Sequence, residues 1–439
     1  MSFTITEHSI DCQYVRHYPR ATSAQDAPLK LLLKKYTPVD NQNPQPGDVT
    51  LIGVPGTGLP KELYEPLWEE LLARSRHDGF RIRAIWMADV ANQGASGVYN
   101  EKHLGNDPSW HDHSRDLLHM INHFRAEMPR PIMGIGHSAG AVQQIFLSLM
   151  HPRLFTSLIL IEPYLYPVDT GEGGRWILAR ARQSDSWDSL SKAAAISQNN
   201  YGAWDPRVFE RWVQHGFRDL PTALHPATET ETEINKGAVA LTTTIPQEVF
   251  MYARPNSQRH KQLGLPAEED NNDDDGPSPA HDPLVVPDMI GGLYRKQRFY
   301  RPEPILAWRL LPHLQPSALY LSGAMSGLSL AGGQAQAAER TGTGFGGSGG
   351  APCHRVKHVV VERAGHTLPM EKVGETAAAM GLWIAEELQR WREEERRIED
   401  GWRGLSVKEK SGLSTEWERL LQIAAVELPR RNRSNKSKL

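Results

Sequence analysis

The chain of 439 residues is longer than one ordinary domain and fits a single elaborated core that carries an insertion. Its 49 Lys and Arg residues nearly balance its 52 Asp and Glu residues, and the formal net charge of -3 gives no basic field that would attract nucleic acid or an anionic membrane. Its two cysteines, Cys12 and Cys353, lie far apart in sequence, which argues against a disulfide scaffold or a thiolate zinc site and favours a reducing compartment.

Short apolar runs separated by helical patterns organise most of the chain. A secretory signal is not expected, because the first eleven residues lack a basic region followed by an apolar run. A membrane span is not expected either, because no stretch of the sequence is long and apolar enough. The two opening runs predict antiparallel edge strands, and the later alternation of strands with helices predicts a mostly parallel sheet. The predicted strands cover residues 3–15, 29–36, 49–54, 82–87, 132–135 and 157–161, and then residues 318–321 and 358–361.

The long interruption between the last two groups of strands predicts an inserted cap. It contains tryptophan-rich helical patterns, as in residues 207–217. An acidic run at residues 268–275 lacks the spacing of an EF-hand and predicts a solvated loop. Residues 332–350 are rich in glycine but lack the Lys-Ser/Thr of a phosphate loop, which predicts a flexible linker.

A long charged helix is expected over residues 386–402, ahead of a basic tail. The predicted organisation therefore has a core in two parts, a cap and a helical tail. These cover residues 1–165 and 303–392 for the core, 166–302 for the cap and 393–439 for the tail.

The strongest local signal is the sequence Gly136-His137-Ser138-Ala139-Gly140. It directly follows a predicted strand and precedes a helical stretch, which is the context of the nucleophile elbow in α/β hydrolases. A turn this sharp requires glycine on both sides of the nucleophile, because side chains there would collide with the strand or the helix. The sequence therefore predicts Ser138 as the nucleophile of a serine hydrolase with the α/β-hydrolase fold.

A serine hydroxyl needs a base, which in this fold lies in the loop after the last strand. His366 follows the strand predicted at residues 358–361 and is the predicted base. The nearest rival among the 18 histidines is His137, but side chains adjacent on an elbow point apart, so His137 is expected to pack in the core.

The acid that orients the base is less evident. Most α/β hydrolases carry it in a G-x-x-D turn after the strand that follows the cap, and here that turn ends in Ser326. Glu162, at the end of the strand predicted at residues 157–161, occupies the other position from which a carboxylate reaches the histidine. Glu162 is therefore the predicted acid, with a structural carboxylate as the alternative, and replacing Ser326 by alanine is expected to cost little.

The oxyanion hole is expected to use two backbone N–H groups. One belongs to Ala139, directly after the nucleophile, and the other to the loop after residues 49–54. In that loop Thr57 stands between Gly56 and Gly58 and is the predicted second donor. Pro55 occupies the place where many relatives have histidine.

A histidine-rich stretch could suggest a metal site. His119 and His123 share one helical face, but residues 112–124 are better interpreted as an amphipathic helix ahead of the nucleophile strand. Neither a metal nor a cofactor is expected.

Several longer strings carry a family resemblance. With the elbow and Gly365-His366 they make the chain resemble the fungal peroxisomal α/β hydrolases, the family of the yeast peroxisomal lipase and of the hydrolases in host-selective toxin clusters such as that of AK-toxin. The resemblance implies an acyl-ester or thioester hydrolase of lipid metabolism or toxin biosynthesis. The strings are residues 89–96, 107–116, 204–208, 241–244 and 247–250.

The last three residues, Ser437, Lys438 and Leu439, match a peroxisomal import tripeptide. They predict the peroxisomal matrix as the location and the import receptor as a partner. The expected substrate is a small acyl compound, processed through an acyl-enzyme on Ser138. Two alternatives stay open: an acyltransferase of the same fold, and a binding protein of this fold without turnover.

Overall fold

The computed structural model describes residues 2–167, 173–226, 237–255 and 299–427. The chain divides into two compact units, residues 1–388 and residues 389–439. The predicted acidic loop at residues 268–275 and the C-terminal tripeptide lie outside the described residues. The predicted boundaries at residues 165, 302 and 392 stay predictions.

An eight-stranded, mostly parallel sheet forms the centre of the first unit, in the order β1-β2-β4-β3-β5-β6-β12-β13. The opening pair β1 and β2 is antiparallel, as predicted, and β2 also runs antiparallel to β4. From β4 to β13 every neighbouring pair is parallel. The strands are β1 (Phe3–Asp11), β2 (Lys30–Pro38), β3 (Val49–Val54), β4 (Ile82–Ala88), β5 (Ile132–His137), β6 (Ser157–Ile161), β12 (Ser317–Gly323) and β13 (Val356–Val361).

Helices cover both faces of this sheet. One face packs against Trp110–His123, Ala139–Met150, Pro302–Leu310 and Gly333–Arg340. The other face packs against Glu65–Asp78 and the N-terminal part of Val373–Trp402. Because β3, β5, β6 and β12 are covered on both sides, their residues are almost all buried and form continuous apolar runs. The prediction of an α/β-hydrolase fold is confirmed.

The described part of the predicted cap joins β6 to β12. A three-stranded sheet there has the order β7-β9-β8, and two further strands form the antiparallel pair β10-β11. These strands are β7 (Ser186–Trp187), β8 (Phe217–Asp219), β9 (Val239–Leu241), β10 (Arg254–Pro255) and β11 (Phe299–Tyr300). The helices of this region are Gly173–Ala181, Leu190–Asn200, Pro206–His215 and Ile245–Tyr252.

The remaining helices are short or lie near the C-terminus. They are Gly94–Asn100, Gly327–Leu330, Leu368–Glu371, Val407–Ser411 and Thr415–Glu427, with single 3-10 turns at Lys61–Tyr64, Glu101–His103, Leu311–His313 and Ala351–Cys353.

The prediction of a flexible linker at residues 332–350 is wrong. Its first half is the helix Gly333–Arg340, whose Ala337 and Ala338 are buried against the sheet. Its glycines are required by contact, because a Cβ on Gly347 would lie 2.3 Å from the carbonyl oxygen of Pro312. Small residues here permit backbone to pack closely on backbone. The glycine content, taken alone, suggested flexibility instead.

The charged helix also begins earlier than predicted, at Val373, and continues to Trp402. Its first half has an apolar stripe that includes Ala377, Met380 and Ile384, all fully buried. The helix therefore begins with an apolar, buried segment, ahead of the charged residues from which it was predicted. None of the helices in the described ranges has the length and apolar character needed to cross a membrane.

Candidate active site

Ser138 lies on a strained turn between β5 and the helix Ala139–Met150. Its backbone has φ 56° and ψ -119°, outside the regions that side chains favour. The flanking glycines make the turn possible: a Cβ on Gly136 would lie 2.5 Å from Cα of Ala141, and one on Gly140 would lie 2.5 Å from the carbonyl oxygen of Pro55. The elbow predicted from the sequence is confirmed as a backbone structure, and it holds the Ser138 side chain away from the buried interior of the strand.

Two hydrogen bonds connect Ser138, His366 and Glu162 in series. Nε2 of His366 lies 2.9 Å from Oγ of Ser138, and Nδ1 of His366 lies 3.0 Å from Oε2 of Glu162. The carboxylate is fully buried, whereas the imidazole side chain is 40% exposed. The structure thus brings together the three side chains that the sequence predicted for nucleophile, base and acid.

Glu162 is held by more than the histidine. The backbone N–H of Gly323 donates to its Oε1 at 2.7 Å, and the hydroxyl of Ser326 donates to its Oε2 at 2.5 Å. Ser329 donates a longer hydrogen bond, 3.3 Å, to Oε1. The backbone of Glu162 has φ 47°, a left-handed conformation that costs free energy in a residue with a side chain. Gly323 at the end of β12 and Ser326 in the turn after it fix the carboxylate, and the sequence analysis missed this role for Ser326.

The loop after β3 faces the elbow. Gly56 donates its N–H to the hydroxyl of Tyr64 at 2.9 Å, and Gly58 donates its N–H to Oε1 of Gln93 at 2.8 Å. Between these engaged groups, the N–H of Thr57 has no hydrogen bond to any described residue. The N–H of Ala139 is the first of its helix and has no partner within it. The two predicted oxyanion donors are therefore free to bind an acceptor.

His137 is buried, as predicted for a core residue, but it is also hydrogen-bonded to the loops around the site. Its Nδ1 lies 2.7 Å from the hydroxyl of Tyr64, and its Nε2 lies 2.9 Å from the backbone carbonyl of His366. Burial lowers the pKa of His137 to about 3, so its ring stays neutral. Its orientation away from the hydroxyl of Ser138 agrees with the preference for His366 as the base.

The histidine loop is braced from two directions. Glu371 accepts from the N–H of Gly365 at 2.7 Å and from the hydroxyl of Thr367 at 2.6 Å. Nε1 of Trp204, in the cap, donates to the same Thr367 hydroxyl oxygen at 3.1 Å. One residue on each side of His366 is therefore fixed, and one of these bonds comes from the cap.

Three of the five strings that carry the family resemblance meet beside the loop after β3. The N–H of Gly94 donates to the hydroxyl of Thr243 at 2.8 Å, and Nδ2 of Asn92 donates to Oε1 of Gln247 at 3.1 Å. Next to them, Glu248 packs so closely on Gly58 that a Cβ there would lie 2.9 Å from its carboxylate carbon. Residues 89–96 and 241–250 are thus contacts between the cap and the loop of the predicted oxyanion hole, a role that their sequence did not indicate.

The histidine-rich stretch forms the helix Trp110–His123, two residues longer at its start than predicted. Asp116 accepts a hydrogen bond from the Arg16 guanidinium. Asp112 accepts one from the backbone N–H of His17 and forms an ion pair with Arg16. Across the described residues, no group of three or more His, Cys, Asp or Glu side chains is arranged to hold a metal.

Comparison with known proteins gives relatives over the full length of the chain. The type I acyl-CoA thioesterase mpaH of Penicillium brevicompactum is 38% identical over 455 residues, which cover 100% of this chain and 99% of that protein. The thioesterase of the same name from Penicillium roqueforti is 39% identical over 403 residues, 90% of each chain. This chain belongs to their family of fungal α/β hydrolases.

More distant similarities agree with this family. An abhydrolase domain-containing protein of Alternaria alternata, AFT2-1, is 26% identical over 261 residues, 58% of this chain and 84% of that protein. Among solved structures, the peroxisomal α/β hydrolase Lpx1 of Saccharomyces cerevisiae superposes with a TM-score of 0.63, at 15% identity and 97% coverage of both chains. No family model matches the chain. The predicted resemblance to fungal α/β hydrolases is confirmed.

Proposed function

We propose that this protein is a serine thioesterase that hydrolyses small acyl-CoA substrates. The observation that carries the proposal is the series of two hydrogen bonds, 2.9 Å and 3.0 Å long, from Ser138 through His366 to Glu162. Full-length similarity to proteins named acyl-CoA thioesterases supports the thioester as the bond that is broken.

The first half of the reaction forms an acyl-enzyme. Oγ of Ser138 attacks the thioester carbon while Nε2 of His366 takes its proton, and Glu162 stabilises the imidazolium that results. The N–H groups of Ala139 and Thr57 stabilise the negative charge that develops on the carbonyl oxygen. The carbon–sulfur bond then breaks, and the sulfur takes the proton from His366 and leaves as the free thiol of CoA.

The second half releases the acid. Water attacks the acyl carbon, His366 takes a proton from it, and the bond to Oγ of Ser138 breaks as that proton returns to the serine. The exposed side of the His366 ring, 40% of the side chain, lets solvent reach the base directly. Solvent can therefore supply the water of this half-reaction.

The proposal is tested by release of free CoA from a panel of acyl-CoA thioesters. We expect wild-type protein to release CoA, and the Ser138→Ala variant to be slower by about 10³-fold or more. The matched control is Ser148→Ala, a buried serine of the same helix whose hydroxyl bonds the carbonyl of Ile145 at 2.8 Å. It should keep near-normal turnover.

Each contrary result identifies a different error. A Ser138→Ala variant with wild-type turnover would show that the nucleophile lies elsewhere. Wild-type protein that cleaves p-nitrophenyl esters but no CoA thioester would refute the substrate class. Wild-type protein that is not labelled by a fluorophosphonate, which reacts only with an activated serine, would make the chain a binding protein of this fold. Acyl products other than the free acid would indicate a transferase.

We also propose that the protein acts in the peroxisomal matrix, since Ser437, Lys438 and Leu439 match the import tripeptide. Removing these three residues from a protein tagged at its N-terminus should move it to the cytosol without changing its specific activity. Peroxisomal fluorescence that persists in cells lacking the untruncated protein would contradict the proposal.

A further inference from the structure

The side chains of Tyr64 and His137 lie between the two loops that the proposed reaction uses. Tyr64 is in the 3-10 turn after the loop of Thr57, and His137 is the last residue of β5, next to the nucleophile. Their exposed fractions are 2% and 1%, so neither can contact a substrate. They join the backbone of Gly56 to the backbone of His366 through three hydrogen bonds of 2.9, 2.7 and 2.9 Å.

The chemistry of the end groups fixes the direction of every bond. The carbonyl of His366 can only accept, so Nε2 of His137 carries the proton and Nδ1 is left with its lone pair. Tyr64 must then donate its hydroxyl proton to Nδ1, and its oxygen accepts from the N–H of Gly56. This series of hydrogen bonds therefore has one tautomer and one polarity, and each of its three donors is used.

Tyr64 and His137 keep these protonation states during turnover. Burial, and after it the positive charge of His366, lower the pKa of His137 to about 3. Burial also raises the pKa of Tyr64 well above its ordinary value. Tyr64 and His137 thus stay neutral, and their hydrogen bonds keep the same direction, when His366 takes the proton of Ser138.

The contacts are also as close as the residues permit. A Cβ on Gly56 would lie 2.9 Å from Nδ1 of His137, inside the usual contact distance. Gly56, the residue directly before Thr57, is therefore held both by its packing against the His137 ring and by its hydrogen bond to the Tyr64 hydroxyl. At the other end, the bond to the His366 carbonyl fixes the main chain that carries the proposed base.

We infer that Tyr64 and His137 are positioning residues, which hold the oxyanion donor of Thr57 and the base His366 in fixed relation to each other across the elbow. The inference rests on the proposed function. It extends it by assigning a task to the residue before the nucleophile and to a tyrosine outside the substrate site.

The test measures the rate at which a fluorophosphonate labels Ser138, which depends on an activated serine but on no particular substrate. Tyr64→Phe removes one oxygen atom and His137→Phe removes both ring nitrogens. Each should slow labelling by about 10-fold or more, since each removes two of the three buried hydrogen bonds. The loss in the double variant should be smaller than the product of the two single losses, because both single variants already lack the bond between Tyr64 and His137. His137→Gln keeps a donor for the His366 carbonyl and should recover part of the rate.

The matched control is Tyr320→Phe, which removes another buried tyrosine hydroxyl, bonded to Thr341 at 2.6 Å. It should lose a comparable amount of thermal stability but label at the wild-type rate. Labelling of Tyr64→Phe at that rate, or additive losses in the double variant, would overturn the inference while leaving the proposed function intact. Wild-type protein that is not labelled would overturn both.

Discussion

The hydroxyl of Ser326 donates a 2.5 Å hydrogen bond to Oε2 of Glu162, the same carboxylate oxygen that faces Nδ1 of His366. Ser326 stands where most α/β hydrolases carry the acid itself. In this chain the proposed acid, Glu162, directly follows the neighbouring strand β6, and the residue at the usual position donates a hydrogen bond to it. The end of β6 therefore supplies the carboxylate, and Gly323 and Ser326 at the end of β12 orient it by hydrogen bonds.

This contact reverses the expectation that Ser326→Ala costs little. The variant removes a hydrogen bond to a buried charged group, worth about 1.5–3 kcal/mol, and should lower kcat about 10-fold with KM nearly unchanged. Ser329→Ala is the matched control, since that hydroxyl lies 3.3 Å from the other carboxylate oxygen and should matter less. Equal, near-normal kcat values in both variants would mean that Glu162 is held without Ser326.

Glu162→Gln should lower kcat by about 10³–10⁴-fold, because an amide cannot stabilise the imidazolium and can present N–H to the N–H of His366. The melting temperature should change little, because the amide keeps the shape of the carboxylate. Adding Ser326→Asp to Glu162→Gln returns a carboxylate to the commoner strand, and we expect part of kcat to recover. Steady-state turnover of a CoA thioester measures both. Near-normal kcat in Glu162→Gln would show that the acid is another residue.

The bond from the cap to the histidine loop should also affect turnover. Trp204→Phe keeps an aromatic ring against Tyr201, 4.1 Å away between centroids, but loses the hydrogen bond to Thr367. We expect kcat to fall several-fold, in line with about 1 kcal/mol for such a bond. In Trp212→Phe, the matched control, the lost N–H has no partner among the described residues. The idea fails if both variants have the same kcat.

The buried histidine His113 should make the protein less stable in mild acid. Burial lowers its pKa from 6.5 to about 4, so folding favours the neutral ring. The stabilisation is complete above the unfolded value and is lost as pH falls from about 6.5 towards 4. His113 alone therefore removes about 2 kcal/mol of unfolding free energy between pH 7 and pH 5.

Urea unfolding at these two pH values measures that difference. His113→Leu should reduce the loss by about 2 kcal/mol, whatever its effect on absolute stability. His119→Leu, at an exposed position of the same helix, should leave the difference unchanged. An undiminished acid loss in His113→Leu would assign the pH dependence to other groups, such as His111, whose pKa is also lowered to about 4 by burial.

The sequence predicted those parts of the site that depend on local order. The elbow could be recognised because Gly136, Ser138 and Gly140 act within one turn, between a strand and a helix that are both periodic. His366 could be placed because it follows the last strand in a chain whose strand order obeys simple rules.

Apart from the contacts among Ser138, His366 and Glu162, the sequence could not predict contacts between distant segments. Ser326 and Glu162 are 164 positions apart, and nothing near either residue indicates the other. The partners of His137 lie 73 and 229 positions away, so its burial was predicted but its hydrogen bonds were not. The error at residues 332–350 has a related cause, since glycine indicates freedom in an isolated chain and close contact in a packed one.

The strands β6 and β12 are neighbours in the sheet, with Ile161 beside Leu321, although the whole cap is encoded between them. The entropic cost of closing such a loop grows only with the logarithm of its length, about 0.6 kcal/mol for each doubling. Insertions and deletions in the cap are therefore cheap, while Ser138, Glu162 and His366 keep their places in the sheet domain. New substrate contacts can therefore arise within this inserted segment, while the parallel pairing of β5, β6, β12 and β13 keeps the three side chains together.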